Sequence, residues 1–147
     1  MYASNIGAPK YIKQILTDLI REIENNTIIV GDFNITLTSI DRPSRQKITK
    51  TTVILDDKID QLDLIDISRT FHPKITDYTF FSIAHGTFSR IDHMLGHKTS
   101  LNEFKKIKII SSIFSNYNSM KLEITYRKKN GRSTNMWRLN NIGGFFK

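Results

Sequence analysis

"TIIVGDFN", Thr27 to Asn34, decides the reading of this 147-residue chain. Four β-branched residues run into a glycine, and an acid, an aromatic and an amide follow at once. Such a run reads as a short strand. Because Thr27 to Val30 is uniformly apolar or β-branched and does not alternate, both faces of the strand are expected to be covered. Asp32 then stands just past the strand's C-terminal edge. Residues i and i+2 of an extended segment point the same way, so Asp32 and Asn34 share a face. The carboxylate can polarise a water or help hold a hard cation, and the amide can donate to a phosphate oxygen. The same pair also suits a turn in which Asp and Asn bond their own backbone.

Working outward, "GAPKYIKQILTDLIREIENN" upstream reads as a helix, with Pro9 in its first turn and Ile12, Ile15, Leu16, Leu19 and Ile23 on one apolar face. Downstream lies a polar, basic loop through Lys50, then a weaker helical pattern over Thr52 to Leu62 carried by Val53, Leu55, Ile59 and Leu62. "DYTFFS" and "RIDHMLG" read as strands around a loop "IAHGTF". "FKKIKII" and "SMKLEITY" alternate polar and apolar residues, as half-exposed strands do. The pattern is mixed α/β (α+β), ending in antiparallel strands. The length fits one domain; residues 127–147 are polar and basic and read as a linker or tail.

Composition narrows the partners. Twenty-two Lys and Arg against 14 Asp and Glu give a net charge of +8, a field that favours polyanions, nucleic acid foremost. The charge is clustered: Arg42, Arg45, Lys47 and Lys50 fall in "DRPSRQKITK", and further groups in "EFKKIKII" and "YRKKNGR". No run of 18 apolar residues suggests a transmembrane helix, and no signal peptide is evident. Cysteine is absent, which excludes disulfides and thiolate metal sites. A nuclear or cytoplasmic, non-secreted setting without a membrane partner is expected.

A second acid interrupts an apolar strand: Asp92 in "SRIDHML". A buried strand tolerates a charge only where it is paired or functional. His93 beside it should face the opposite side, where a structural role is the commoner one. Thr79 is a polar residue among the aromatics of "DYTFFS", and Thr is also an ordinary strand former.

Taken in order, "IIVGDFN", "YTFFS", "SRIDHML" and "S-x-x-x-S-M-K-L-E-I" resemble the motifs of the exonuclease–endonuclease–phosphatase superfamily. Within it the chain looks most like the endonuclease domain of the LINE-type (non-LTR) retrotransposon protein that also carries reverse transcriptase. "YASNIGAPKYIKQ", "DRPSRQKITK", "DLIDISRTFHPK" and "MWRLNN" support that narrower resemblance, which runs from Tyr2 to about Asn141. It implies part of a four-layer α/β/β/α sandwich over residues 1–126, Mg²⁺-dependent hydrolysis of phosphodiesters, DNA as partner and no small-molecule cofactor. Carried over motif by motif, Asp32 would orient or deprotonate the attacking water and touch the metal, and Asn34 would bond the scissile phosphate. Asp92 would pair with the catalytic His, Tyr2 and Thr79 would line the phosphate site, and Ser115 would support the last motif.

The chain departs from that pattern in two places. The last motif reads "FSNYNSMKLEI", so Asn116 stands where the family has Asp and Tyr117 where it has His. Tyr has a reference pKa of ~10 against ~6.5 for His, and supplies no cation beside a phosphate. The family fold also spans roughly 230 residues, within the range of layered single domains, and this chain matches its C-terminal part only. The Glu that is the main metal ligand belongs to the unmatched part, and a strand built for double burial lacks neighbours. Negligible nicking is therefore expected. The alternatives are a non-enzymatic, basic nucleic-acid-binding remnant and a decayed retroelement reading frame.

Overall fold

The computed structural model describes residues 2–3, 6–41, 49–113, 115–125 and 145–146. Its centre is an antiparallel sheet in the spatial order β2 (Leu64–Asp66), β5 (Asp92–His97), β1 (Ile28–Asp32), β8 (Phe145–Phe146). β1 and β5 run in register from Ile28 opposite Gly96 to Asp32 opposite Asp92. β8, at the far end of the stretch expected to be a tail, pairs with Ile28 and Ile29.

Side-chain alternation gives this sheet two different faces. Ile29, Leu95 and Leu64 point to one side and close a core with Ile12, Ile15 and Leu16 of α1 (Ala8–Asp18) and Leu55 and Ile59 of α2 (Lys50–Gln61). Both helices have local reasons to start where they do. Gly7 takes φ 76°, and a proline opens the first turn of α1; Thr49 caps α2 by accepting from the Thr52 N–H. α1 ends at Asp18, shorter than the periodicity predicts, and the chain turns so that Leu19 and Ile23 still lie against the core. On the other face, Met94 meets Ile67 of α3 (Ile67–Phe71) and Phe104 and Ile107 of β6 (Phe104–Ile110). β6 pairs with β7 (Ser119–Ile124) in a second, two-stranded sheet. The described residues thus form helix, sheet and sheet layers.

The expectation that β1 is covered on both sides holds for one side only. Ile29 is fully buried, whereas Ile28 and Val30, facing the second sheet, are partly open, as are Met120 and Leu122 across from them. The hairpin also differs from the expectation. Thr87 and Phe88 belong to a strand, β4 (Thr87–Ser89), paired with β3 (Phe80–Ser82), so the connecting turn is confined to Ile83–Gly86. Gly86 has φ 59°, a conformation glycine adopts without steric cost. No helix among the described residues is long and apolar enough to cross a membrane.

Two substitutions test these layers. A Cβ on Gly96 would stand 2.7 and 2.9 Å from the Phe104 ring and 3.0 Å from Ile67; Gly96→Ala is expected to cost about 1–3 kcal/mol of unfolding free energy in urea. Leu16, fully buried between helix and sheet, should cost about 2–5 kcal/mol as Leu16→Ala, whereas Ile113→Ala, at an 86% exposed position, should stay within about 0.5 kcal/mol.

Candidate functional site

The two acids singled out above meet at the end of the sheet. Phe33 N–H donates to Ile91 O at 2.8 Å, which makes 33 and 91 a hydrogen-bonded pair. By the alternation of an antiparallel ladder, Asp32 and Asp92 are then a non-hydrogen-bonded pair, the kind whose side chains approach most closely. Both lie on the face turned toward the second sheet, the side of Val30 and Met94.

Asp32 carries out the local turn chemistry that its sequence also permitted. Its Oδ1 accepts from the Asn34 N–H at 2.8 Å, and Asn34 takes φ 54°, a left-handed conformation Asn tolerates better than most residues. The Asn34 side chain donates to Ala3 O at 3.0 Å. Ala3 N–H in turn donates to Asp32 O at 2.9 Å, and Tyr2 pairs with Asp32 in a parallel bridge with its side chain 66% exposed. Tyr2, Asp32 and Asn34 are therefore one hydrogen-bonded unit, and Asp92 faces it.

Thr79 was expected at the phosphate site. It is fully buried, and its hydroxyl oxygen accepts from the amides of Ile91 at 3.1 Å and Asp92 at 3.2 Å. That leaves its proton for the Asp92 carboxylate, so Thr79 orders Asp92 from behind. The 115–118 turn joins through the same strand. Asn118 N–H donates to Thr79 O, Asn116 O accepts from Phe81 N–H at 2.9 Å, and Tyr117 bridges Phe80 with the two rings 4.9 Å apart. Ser115 Oγ accepts from Tyr117 N–H and donates to Tyr117 O, holding the turn. The Tyr117 ring is half exposed. Lys50 opens α2 and is exposed; Arg42, Arg45 and Lys47 lie outside the described residues.

Burial pushes the Asp32 carboxyl up from its ordinary value, partly offset by the Asn34 N–H and the nearby His93. Burial likewise raises Asp92; the Thr79 hydrogen bond opposes this and the charge of Asp32 adds to it. The two carboxylates offer hard oxygen donors. They fit Mg²⁺, which takes one or two carboxylates and fills the remaining positions with water or phosphate oxygens. Among the described residues no group of three or more His, Cys, Asp or Glu side chains is arranged to hold a metal ion.

Behind the same strand ends lies a buried charge cluster that the sequence reading did not foresee. Asp66 Oδ2 accepts from Arg90 Nη2 at 2.6 Å and lies 2.9 Å from His93 Nδ1. Arg90 also reaches Asp41 Oδ1 at 3.2 Å and Ser68 Oγ at 3.1 Å, and Arg69 pairs with Asp41. Burial alone would raise Asp66, but His93 and Arg90 outweigh it and hold its carboxyl below the ordinary range. The available signal was Arg90 and Asp66 standing in otherwise apolar strand sequence.

These directions fix a pH dependence. A carboxyl raised in the folded state binds its proton more tightly there than when unfolded, so Asp32 and Asp92 remove stability as pH rises above their unfolded value. Asp66 acts in reverse: its contribution is full at neutral pH and is lost as pH falls through its lowered value. Asp92→Asn should raise the melting temperature by a few degrees at pH 7, the gain disappearing below about pH 4. An unchanged or lower melting temperature at pH 7 would contradict the cost of burying the Asp92 charge beside Asp32.

A family model described as the endonuclease/exonuclease/phosphatase family matches residues 7–111. Among solved structures, an AP endonuclease from Archaeoglobus fulgidus is similar at 18% identity and TM-score 0.67, covering 79% of this chain and 52% of that one. The endonuclease domain of TRAS1, a telomere-specific non-LTR retrotransposon, is similar at 17% identity and TM-score 0.69, covering 86% and 56%. The 3′ phosphatase NExo from Neisseria, solved with a product DNA hairpin, is similar at 19% identity and TM-score 0.64, covering 80% and 54%. The chain spans about half the length of the solved structures it matches. Its matched residues exceed half its own length, and the chain belongs to the endonuclease/exonuclease/phosphatase family.

Proposed function

We propose that the chain is the C-terminal, motif-bearing part of a LINE-type retrotransposon endonuclease domain, that it binds DNA, and that on its own it does not nick. The observation that carries this reading is the pairing of Asp32 with Asp92 at the sheet end, with Asn34 and Tyr2 tied to the same spot. The likeness to the TRAS1 domain supports the retrotransposon branch, and the DNA product in the NExo structure supports a DNA partner.

At this end of the sheet a DNA phosphate would meet the Asn34 amide and the exposed Tyr2 hydroxyl. Asp32 would orient a water on the phosphorus, and Asp92, held by Thr79, would fix the group opposite. Asp32 would be the residue to hold Mg²⁺, which would supply Lewis-acid charge neutralisation. The weak point is the 115–118 turn. Tyr117 presents a phenol ring against Phe80 where the family motif has an imidazole, and Asn116 offers an uncharged amide side chain where the family has an acid. A group of the His type is worth roughly 10²–10⁴ in rate. The net charge of +8 provides the long-range attraction for DNA regardless of chemistry.

A gel shift with short duplex DNA and a supercoiled-plasmid nicking assay in Mg²⁺ test both halves. Binding is expected at 50 mM salt and should weaken at least about tenfold by 200 mM, with little sequence preference. No nicked circles should form. Salt-independent or absent binding would contradict the DNA reading, and nicking by the unaltered chain would contradict its inactivity.

A further inference from the structure

The buried charge cluster lies on the face of the sheet opposite the two acids, and its contacts converge on one segment, residues 33–41, which carries Asn34. His93 Nε2 lies 3.0 Å from Ile35 O, one residue past Asn34. The far end of the segment is held by Arg90, whose N–H donates to Asp41 O at 2.8 Å and whose guanidinium reaches Asp41 Oδ1. Asp41 Oδ2 accepts from Thr38 N–H at 2.7 Å, closing the segment on itself. Asp66 Oδ2 joins the two clamps by bonding both Arg90 and His93. The Phe33 ring packs on His93 with centroids 5.3 Å apart.

His93 has an acceptor at each ring nitrogen, a carboxylate at Nδ1 and a carbonyl at Nε2, and its side chain is fully enclosed. Both contacts are hydrogen bonds at once only when both nitrogens carry protons. Burying so many charges is not an efficient way to gain stability, since apolar residues of similar volume often serve a core as well or better. What the cluster supplies is a fixed geometry. Arg90 lies two residues before Asp92, just ahead of β5, and His93 follows Asp92 directly on that strand: Asp92 projects to one face of the sheet while Arg90 and His93 grip the segment that presents Asn34.

We infer that His93 and Arg90, joined through Asp66, are positioning residues that set Asn34 relative to Asp92 by clamping the 33–41 segment. This inference rests on the reading that Asn34 meets the DNA phosphate.

Two near-isosteric replacements test it. His93→Gln places an amide donor where Nε2 stood and keeps the bond to Ile35 O. His93→Asn places one where Nδ1 stood, keeps the bond to Asp66 and drops the loop. Hydrogen exchange is followed at the Asn34, Thr38 and Asp41 amides and, as reference, at Ile29 and Leu95 in the sheet. In His93→Asn the three loop amides should exchange at least about tenfold faster, the scale of one lost buried hydrogen bond. The sheet amides should stay within about twofold, and His93→Gln should stay near the unaltered chain at both sets. Loop protection unchanged in His93→Asn, loop and sheet accelerating together, or Gln behaving like Asn would each overturn the clamp. Should His93→Asn fail to fold, Asp41→Asn, which removes charge from the distal clamp, is read at the same amides and must loosen Thr38 and Asp41 selectively. Adding short duplex DNA to the unaltered chain separates the two claims: an Asn34 side-chain resonance that does not move defeats the phosphate reading and leaves the clamp standing.

Discussion

The structure depends on one register. β1 and β5 pair so that Asp32 stands directly opposite Asp92, in the ladder position where side chains come closest. Two partly buried carboxylates repel, and burial and mutual charge raise Asp92. The surroundings hold the pair in place. The Asn34 amide bonds one carboxylate, the Thr79 hydroxyl orders the other, and His93 contributes charge from behind the sheet. A one-residue slip of β5 against β1 would send Asp92 to the helical face and His93 to the side of Asp32, so the apolar pattern of Ile29 and Leu95 that fixes the core also fixes the pairing of the two acids.

The two faces of the central sheet are unequal, and the inequality has functional weight. The helical face is closed by α1 and α2 and contains most of the fully buried side chains. The face toward β6 and β7 holds the acids and is left partly open at Ile28, Val30, Met120 and Leu122. The chain covers only about half of the solved structures it resembles. The helical side backs the sheet end that carries the two acids through the Asp66–Arg90–His93 cluster, while the inter-sheet side is where the described fold is least filled.

Much of this was legible in the sequence because it is written in short-range patterns. β1 follows from the β-branched run, α1 from the spacing of Ile12, Ile15 and Leu16, and β6 and β7 from their alternation. Asp92 was legible because a charge inside an apolar strand needs a reason. What was not legible depends on partners far apart in the chain. Asp66 and Arg90 stand out in sequence only as charges near apolar residues; that they pair with each other and with Asp41 depends on 24 to 49 positions of chain folding back. The burial of Thr79 and its bonds to the Ile91 and Asp92 amides were not legible either, because they depend on the chain folding back from residue 79 to residues 91 and 92. The end of α1 and the start of β4 were misjudged because local apolar spacing does not mark where a turn satisfies the backbone. The open side of β1 was misjudged because double coverage depends on neighbours that the pattern of the strand itself cannot specify.

The most direct measurement is a cross-strand proton contact in solution. In a non-hydrogen-bonded antiparallel pair the α-protons face one another, so a NOESY spectrum in D₂O should show a strong Hα–Hα cross-peak between Asp32 and Asp92, alongside one between Val30 and Met94. A spectrum with the Val30–Met94 peak but none between Asp32 and Asp92 would place the acids apart and contradict the site built on them.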